Sequence, residues 1–219
     1  MNSHRKTRVA LALAGAAALV AAGGAAYASA PWTVAVGGDT TAGTVAYTTT
    51  ATGTSSAPAI AITMGGSHMT CVSASSAGDV TKGATSGFFA SITDFTLDSC
   101  LLEGVLPMEL TVSATVANPW KVDITGDKTG NVSPIQIYDI HAHMRDIGTG
   151  GGTCAFDVDG TIDGTFDDSS AQQLAVNGGG LVVSNVTGGC FGLTNDGNDA
   201  TFAGVFDVAN AVGPITVDH

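Results

Sequence analysis

Apolar and polar residues alternate in the most regular stretches of this chain. Leu110, Val112, Ala114 and Val116 are interleaved with Thr111, Ser113 and Thr115. Ala200, Phe202, Gly204, Phe206 and Val208 repeat the pattern near the C-terminus. A period of two puts one face of a strand in a core and the other in water. Val34 to Val36, Thr44 to Thr50, Ala59 to Met64, Lys121 to Ile124 and Thr161 to Phe166 are predicted as further strands. They are rich in Val, Ile, Thr and Phe, which suit a pleated surface. Gly37-Gly38, Asn177-Gly178, Asp159-Gly160, Asp163-Gly164 and Asp196-Gly197 are predicted as tight turns, because such pairs supply the positive φ of hairpins. The Thr, Ser, Ala and Gly-rich segment Thr40 to Pro58 reads as an edge strand or a lead-in. No stretch beyond the N-terminus carries a helical period.

The order of these features repeats. Ser91 to Cys100 resembles Leu181 to Cys190, and Val116-Ala117-Asn118 is matched by Val208-Ala209-Asn210. Met69-Thr70-Cys71 and Gly152-Thr153-Cys154 occupy corresponding positions. These matches predict an all-β chain: an antiparallel β-sandwich or flattened barrel built from two pseudo-repeated halves, about 55–125 and 133–219, within a single β domain over residues 29–219. Modules of this length are large for solenoid repeats and suit two halves of one sandwich or barrel.

The first residues follow another logic. His4-Arg5-Lys6-Thr7-Arg8 is basic, Val9 to Ala26 is uncharged and mostly Ala, Leu, Val and Gly, and Ala26-Tyr27-Ala28 offers small residues for cleavage. That order predicts a secretory signal peptide over residues 1–28. An uncleaved anchor is the competing reading, since the run approaches spanning length. No second apolar run of that length follows, so no membrane span is expected after cleavage. Cleavage removes Arg5, Lys6 and Arg8 and no acid, which takes the formal charge from −12 to −15. Only Lys82, Lys121, Lys128 and Arg145 remain as cations. No basic surface for nucleic acid can be assembled from four of them. Charged residues make up 12% of the chain, against about 25% in average domains. With 44% apolar residues the chain is no disordered acidic tail, and scarce Lys and Glu argue against helical bundles.

Cys71, Cys100, Cys154 and Cys190 all lie beyond the signal, and an even number in an exported chain suggests two disulfides. Three pairings are open. The repeat favours Cys71 with Cys100 and Cys154 with Cys190, one pair per half. Loops of this length each stabilise by about 3–4 kcal/mol in the chain-entropy account. Zinc fingers use closely spaced cysteines, and the nearest two here are 29 positions apart.

Taken together, the exported start, the Ser-Cys and Gly-Cys ends of apolar strands, the Ala200–Val208 strand after Cys190-Phe191-Gly192-Leu193 and the closing Gly213-Pro214-Ile215-Thr216-Val217 resemble small exported actinobacterial proteins. Those are Gly/Thr/Ala-rich β proteins with paired cysteines. The resemblance implies an extracellular all-β protein and transfers no catalytic residue.

Candidate chemistry is sparse. His141 and His143 share one side of a strand with Arg145. Two histidines so spaced can hold one divalent ion with a third ligand from a neighbour, and pseudo-symmetry would bring His68 to them. Met69 and Met144 would then make copper conceivable. A half-exposed strand face explains the same histidines without an ion, and Arg145 would repel a cation. Asp157, Asp159, Asp163 and Asp167 suggest calcium, but Ile162 stands where the EF-hand loop needs glycine, and a hairpin accounts for them equally. Asn195-Asp196-Gly197-Asn198-Asp199 is read as a turn before an ion loop. No cofactor other than such a divalent metal is indicated. G-x-S-x-G, H-E-x-x-H and G-x-x-x-x-G-K are absent.

The expected function is therefore a secreted non-catalytic structural or interaction protein, at the cell surface or in the extracellular medium. Its partners would be the cell envelope or further copies of itself. The alternative is an extracellular carrier of a metal or of a small apolar ligand, the latter held beside Trp32 and Trp120. A porin-like protein would need aromatic girdles, which three Tyr and two Trp do not make. If both disulfides form, a thiol reagent labels no cysteine of the denatured, unreduced mature protein; one labelled cysteine per chain would contradict the pairing.

Overall fold

In the computed structural model, residues 32–85, 88–148 and 153–218 are described, and their alternating stretches become twelve strands. The signal peptide expected over residues 1–28 lies outside them. The strands are β1 (Trp32–Val36), β2 (Gly43–Thr52), β3 (Ile60–Met64), β4 (Ser67–Thr85), β5 (Phe88–Leu102), β6 (Leu106–Val112), β7 (Trp120–Ile124), β8 (Val132–Asp146), β9 (Ala155–Asp167), β10 (Gln173–Thr187), β11 (Asp199–Ala209) and β12 (Ile215–Asp218). All their pairings are antiparallel.

The sheet closes on itself. Following hydrogen bonds from β4 through β2, β11, β10, β9, β8 and β6 to β5 returns to β4. Two of the eight wall positions are shared by two short strands each. Strands β2 and β3 both lie between β4 and β11, and β6 and β7 both lie between β5 and β8. The architecture is thus a closed barrel with extra strands, not an open sandwich. Eight strands enclose a space that side chains nearly fill, and the inward residues here are large and apolar. Phe95 is central: its ring lies 5.1 Å from Trp120 and 6.2 Å from Phe202, which stacks on Phe206.

Several predicted elements are displaced. Asn177-Gly178, Asp159-Gly160 and Asp163-Gly164 are not turns but lie within the long strands β9 and β10. Their glycines answer to crowding between strands. A Cβ on Gly164 would stand 2.6 Å from the Ala175 carbonyl oxygen, and one on Gly160, whose φ is +139°, would stand 2.1 Å from that of Gly180. Glycine inside a strand marks such a close approach or bulge. The segment Thr40 to Pro58 contains β2, which is bonded on both sides and is no edge. The alternation from Leu110 to Val116 outlasts its strand. The ladder slips between Leu110 and Val112, the chain turns at Thr115–Asn118, and Val116 is left 83% exposed.

The two rims are secured differently. Cys71 faces Cys100 across the β4–β5 ladder, and Cys154 bonds to Cys190, so the structure joins the two pairs within their own halves of the chain. Both disulfides lie at one rim, because Cys100 pairs with Met108, Met108 with Asp146, and the Asp146 amide donates to the Cys154 carbonyl. At the opposite rim β1 and β12 form a ribbon attached to the end of β4. Its Val34, Val36, Ile215 and Val217 are buried in the common core. Lys128 ties this ribbon down: its ammonium donates to the Asp168 carboxylate at 2.6 Å and to the Val217 carbonyl at 2.8 Å. The same carboxylate accepts from the Val217 amide at 2.9 Å.

The Asp168 side chain is only 3% exposed and that of Lys128 17%. Lys128→Met should therefore strand a desolvated charge and cost on the order of 3 kcal/mol, the low end for a broken buried pair because Lys128 keeps some solvent. Urea unfolding of the two proteins measures the difference; a loss below about 1 kcal/mol, the scale of exposed pairs, would show that the link is not structural.

Candidate functional site

Polar chemistry concentrates on the outer wall formed by β8, β9 and β10. Alternation aims His141, His143 and Arg145 outward from β8, while Ile140, Ala142 and Met144 line the interior. On β9 the outward residues opposite them are Asp159 and Asp157, in register as His141 with Asp159 and His143 with Asp157. The Nδ1 of His141 lies 2.5 Å from Asp159 Oδ1, and that of His143 2.5 Å from Asp157 Oδ1. An ionised carboxylate only accepts, so each ring carries its proton on Nδ1 and a neutral ring keeps its lone pair on Nε2. Strand β10 supplies the next layer. Ser184 Oγ donates to Asp159 Oδ2 at 3.0 Å, and Asn185 Nδ2 donates to Asp157 Oδ2 at 2.7 Å. Each row therefore runs from a β8 imidazole through a β9 carboxylate to a β10 donor.

Asn185 reaches its carboxylate from a left-handed backbone position, φ +53°, at a slip in the β9–β10 register. Gly160 and the slip between Ile137 and Ile140 bend β9 and β8 just beyond the rows. Asp157 is held below the ordinary aspartate pKa. Partial burial pushes it up, but the hydrogen bonds from His143 and Asn185 and the imidazole charges outweigh that.

The fixed cations nearby are neutralised. Arg145 is paired with Glu109 on β6, and Lys121 reaches Asp139 at 2.7 Å. The expected repulsion by Arg145 is thus largely cancelled by its own partner. Beside His141 the wall is interrupted. Strand β8 leaves β7 at Tyr138 and meets β6 only from His143 onward, so residues 139–142 lack a strand partner on that side. A surface groove of about 740 Å³ runs there, bounded by Val112, Asn118, Lys121, Asp139 and His141 among others.

His68 lies elsewhere. It is on β4, with β5 and β6 standing between it and β8. Its ring meets Thr63 Oγ1 at 3.2 Å and its amide donates to Glu103. Among the described residues no three His, Cys, Asp or Glu side chains form a metal-holding group. Met69 and Met144 point into the core. The four aspartates grouped by sequence are also dispersed. Asp157 and Asp159 serve the histidines, Asp163 accepts from Gln136, and Asp167 accepts from the Ser169 amide. In the loop Asn195 to Asp199, Asn198 accepts the Asn195 amide, as turn residues do, and Asp196 accepts the Val186 amide of β10.

The interior offers a small cavity of about 70 Å³. Phe95, Trp120, Phe202 and Phe206 line it, and its two polar members, Thr49 and Ser76, bond to each other at 2.8 Å. Trp32 is buried in β1 and does not line it. Comparison with protein-family models, with curated proteins and with solved structures finds no match for this chain.

Because the pKa of Asp157 is depressed on folding, its stabilising contribution is complete above the unfolded value near 4 and is lost as pH falls through the depressed folded value. Between about pH 5 and pH 2, Asp157→Asn should therefore lose less Tm than the parent protein. Equal slopes of Tm against pH would show that ionisation of Asp157 does not stabilise the fold.

Proposed function

We propose that this is an exported, non-catalytic barrel protein that acts at the cell surface or in the medium as a structural or interaction partner, and that it does so through its outer wall. The distribution of polar groups carries this reading. The barrel interior is filled mainly by apolar side chains; among the described residues Thr49 and Ser76 satisfy each other, and the Ser133 hydroxyl is buried without a partner. The imidazoles and most of the carboxylates are arrayed outside. A 70 Å³ void is about half the size of one that admits benzene, and far below the roughly 300 Å³ at which ligand pockets begin. That volume favours the interior as core over the interior as carrier chamber.

Two further observations support it. Disulfides persist in oxidising compartments, and two are formed here. The outward residues Thr48, Thr50 and Thr52 of β2 and Asp94, Thr96 and Asp98 of β5 are polar. A lipid-spanning barrel carries an apolar band in those places.

The test is a fractionation of the source culture followed by binding assays. The mature protein should begin at Ser29, as the signal reading requires, and should cosediment with isolated cell envelopes or elute as a self-associated species. A protein retained inside the cell, or a monomer that stays in the supernatant with every envelope fraction, would overturn the proposal.

A further inference from the structure

The two imidazole–carboxylate rows have a property that strand packing alone does not require. Both rings are fixed by Nδ1, and neither makes any other side-chain hydrogen bond. Both Nε2 lone pairs are therefore left for an external partner. This is the arrangement that metal-binding histidines adopt, with one nitrogen held by a carboxylate and the other on the ion.

We infer that His141 and His143 together form a surface site for one divalent late-transition cation, of the zinc, nickel or copper(II) class, with Asp157 and Asp159 orienting the rings. The spacing suits it. Two outward positions on one strand stand about 6.7 Å apart, a gap that two imidazoles close around an ion about 2 Å from each nitrogen. The ligand type suits it as well, since imidazole selects zinc, nickel and copper over magnesium and calcium. Thioether ligation is excluded because Met144 and Met69 are buried in the core.

The local field is favourable. Arg145 is paired with Glu109 and Lys121 with Asp139, so Asp157 and Asp159 face the imidazoles without a competing fixed cation. The ring of His143 is 33% exposed and that of His141 56%, and the groove beside His141 gives water and ions access. Two protein ligands leave the remaining coordination positions to water. The site does not depend on the proposed interaction role and would exist in a protein of any function.

The experiment is a zinc titration of the tag-free mature protein by calorimetry in a non-chelating buffer near neutral pH. One zinc ion should bind per chain. His141→Ala and His143→Ala should each abolish saturable binding, while His68→Ala should leave it unchanged. Asp159→Asn should weaken affinity about 10–100-fold, the usual cost of losing a carboxylate behind a metal-bound histidine. Far-UV spectra and Tm confirm that each variant is folded. Copper(II) bound instead of zinc should show two equivalent nitrogen couplings by electron paramagnetic resonance. Undiminished binding in the doubly substituted His141→Ala, His143→Ala protein, dependence on His68, or no saturable binding by the parent would each overturn the assignment.

Discussion

Every wall position of the barrel has a hydrogen-bonded neighbour on both sides, and that condition sorts all the side chains. Once the sheet returns from β5 to β4, a period of two can mean only inside or outside. The inward set must then fill a volume fixed by strand number, which is why Phe95, Trp120, Phe202 and Phe206 crowd one another. The outward set is free to be polar, and closure protects it from edge-to-edge association. Where a wall position is made of two short strands in place of one, as with β6 and β7, the circuit still closes but a few residues of β8 between them lack a partner, and a groove results.

Strand periodicity made much of this legible. The segments Val34 to Val36, Lys121 to Ile124 and Ala200 to Val208 lie within strands, and Ala59 to Met64 overshoots β3 by one residue. The cysteine pairs were also within reach, because the match of Ser91–Cys100 with Leu181–Cys190 suggests one pair in each half. Barrel closure was not legible, since the pairing of β11 with β2 and β3, far earlier in the chain, is a fact of register that no local pattern encodes. The glycines of β9 and β10 misled for a definite reason. Asp-Gly and Asn-Gly describe a turn when strands end there, and a close approach of neighbouring backbones when they do not. The loop after Val112 continued the alternation of β6 without its ladder, so Val116 was assigned a face it does not have.

The site was half visible. His141 and His143 share a spacing with Asp157 and Asp159, and two such pairs on successive strands become partners when the register aligns. Chain order supplied the spacing but not the register. Ser184 and Asn185 gave no sequence signal, because Asn185 is aimed by a left-handed residue at a slip in the ladder. Arg145 shows the converse error: its charge was read alone, whereas β6 brings Glu109 against it. His68 was grouped with the other histidines by an expected symmetry, and the strands between β4 and β8 keep them apart.

The ribbon of β1 and β12 has one more implication. Thr33 lies opposite Asp218, so the first and last described strands run side by side at the rim away from the disulfides. Between residues 32 and 218 the path is therefore nearly a ring. Linking those two points by a few residues and reopening the chain in an exposed loop such as Asn195–Asn198 would preserve every wall pairing. The wiring of the wall is in that sense independent of where the polypeptide is cut, and the order in which its strands emerge during synthesis is separable from the barrel they build.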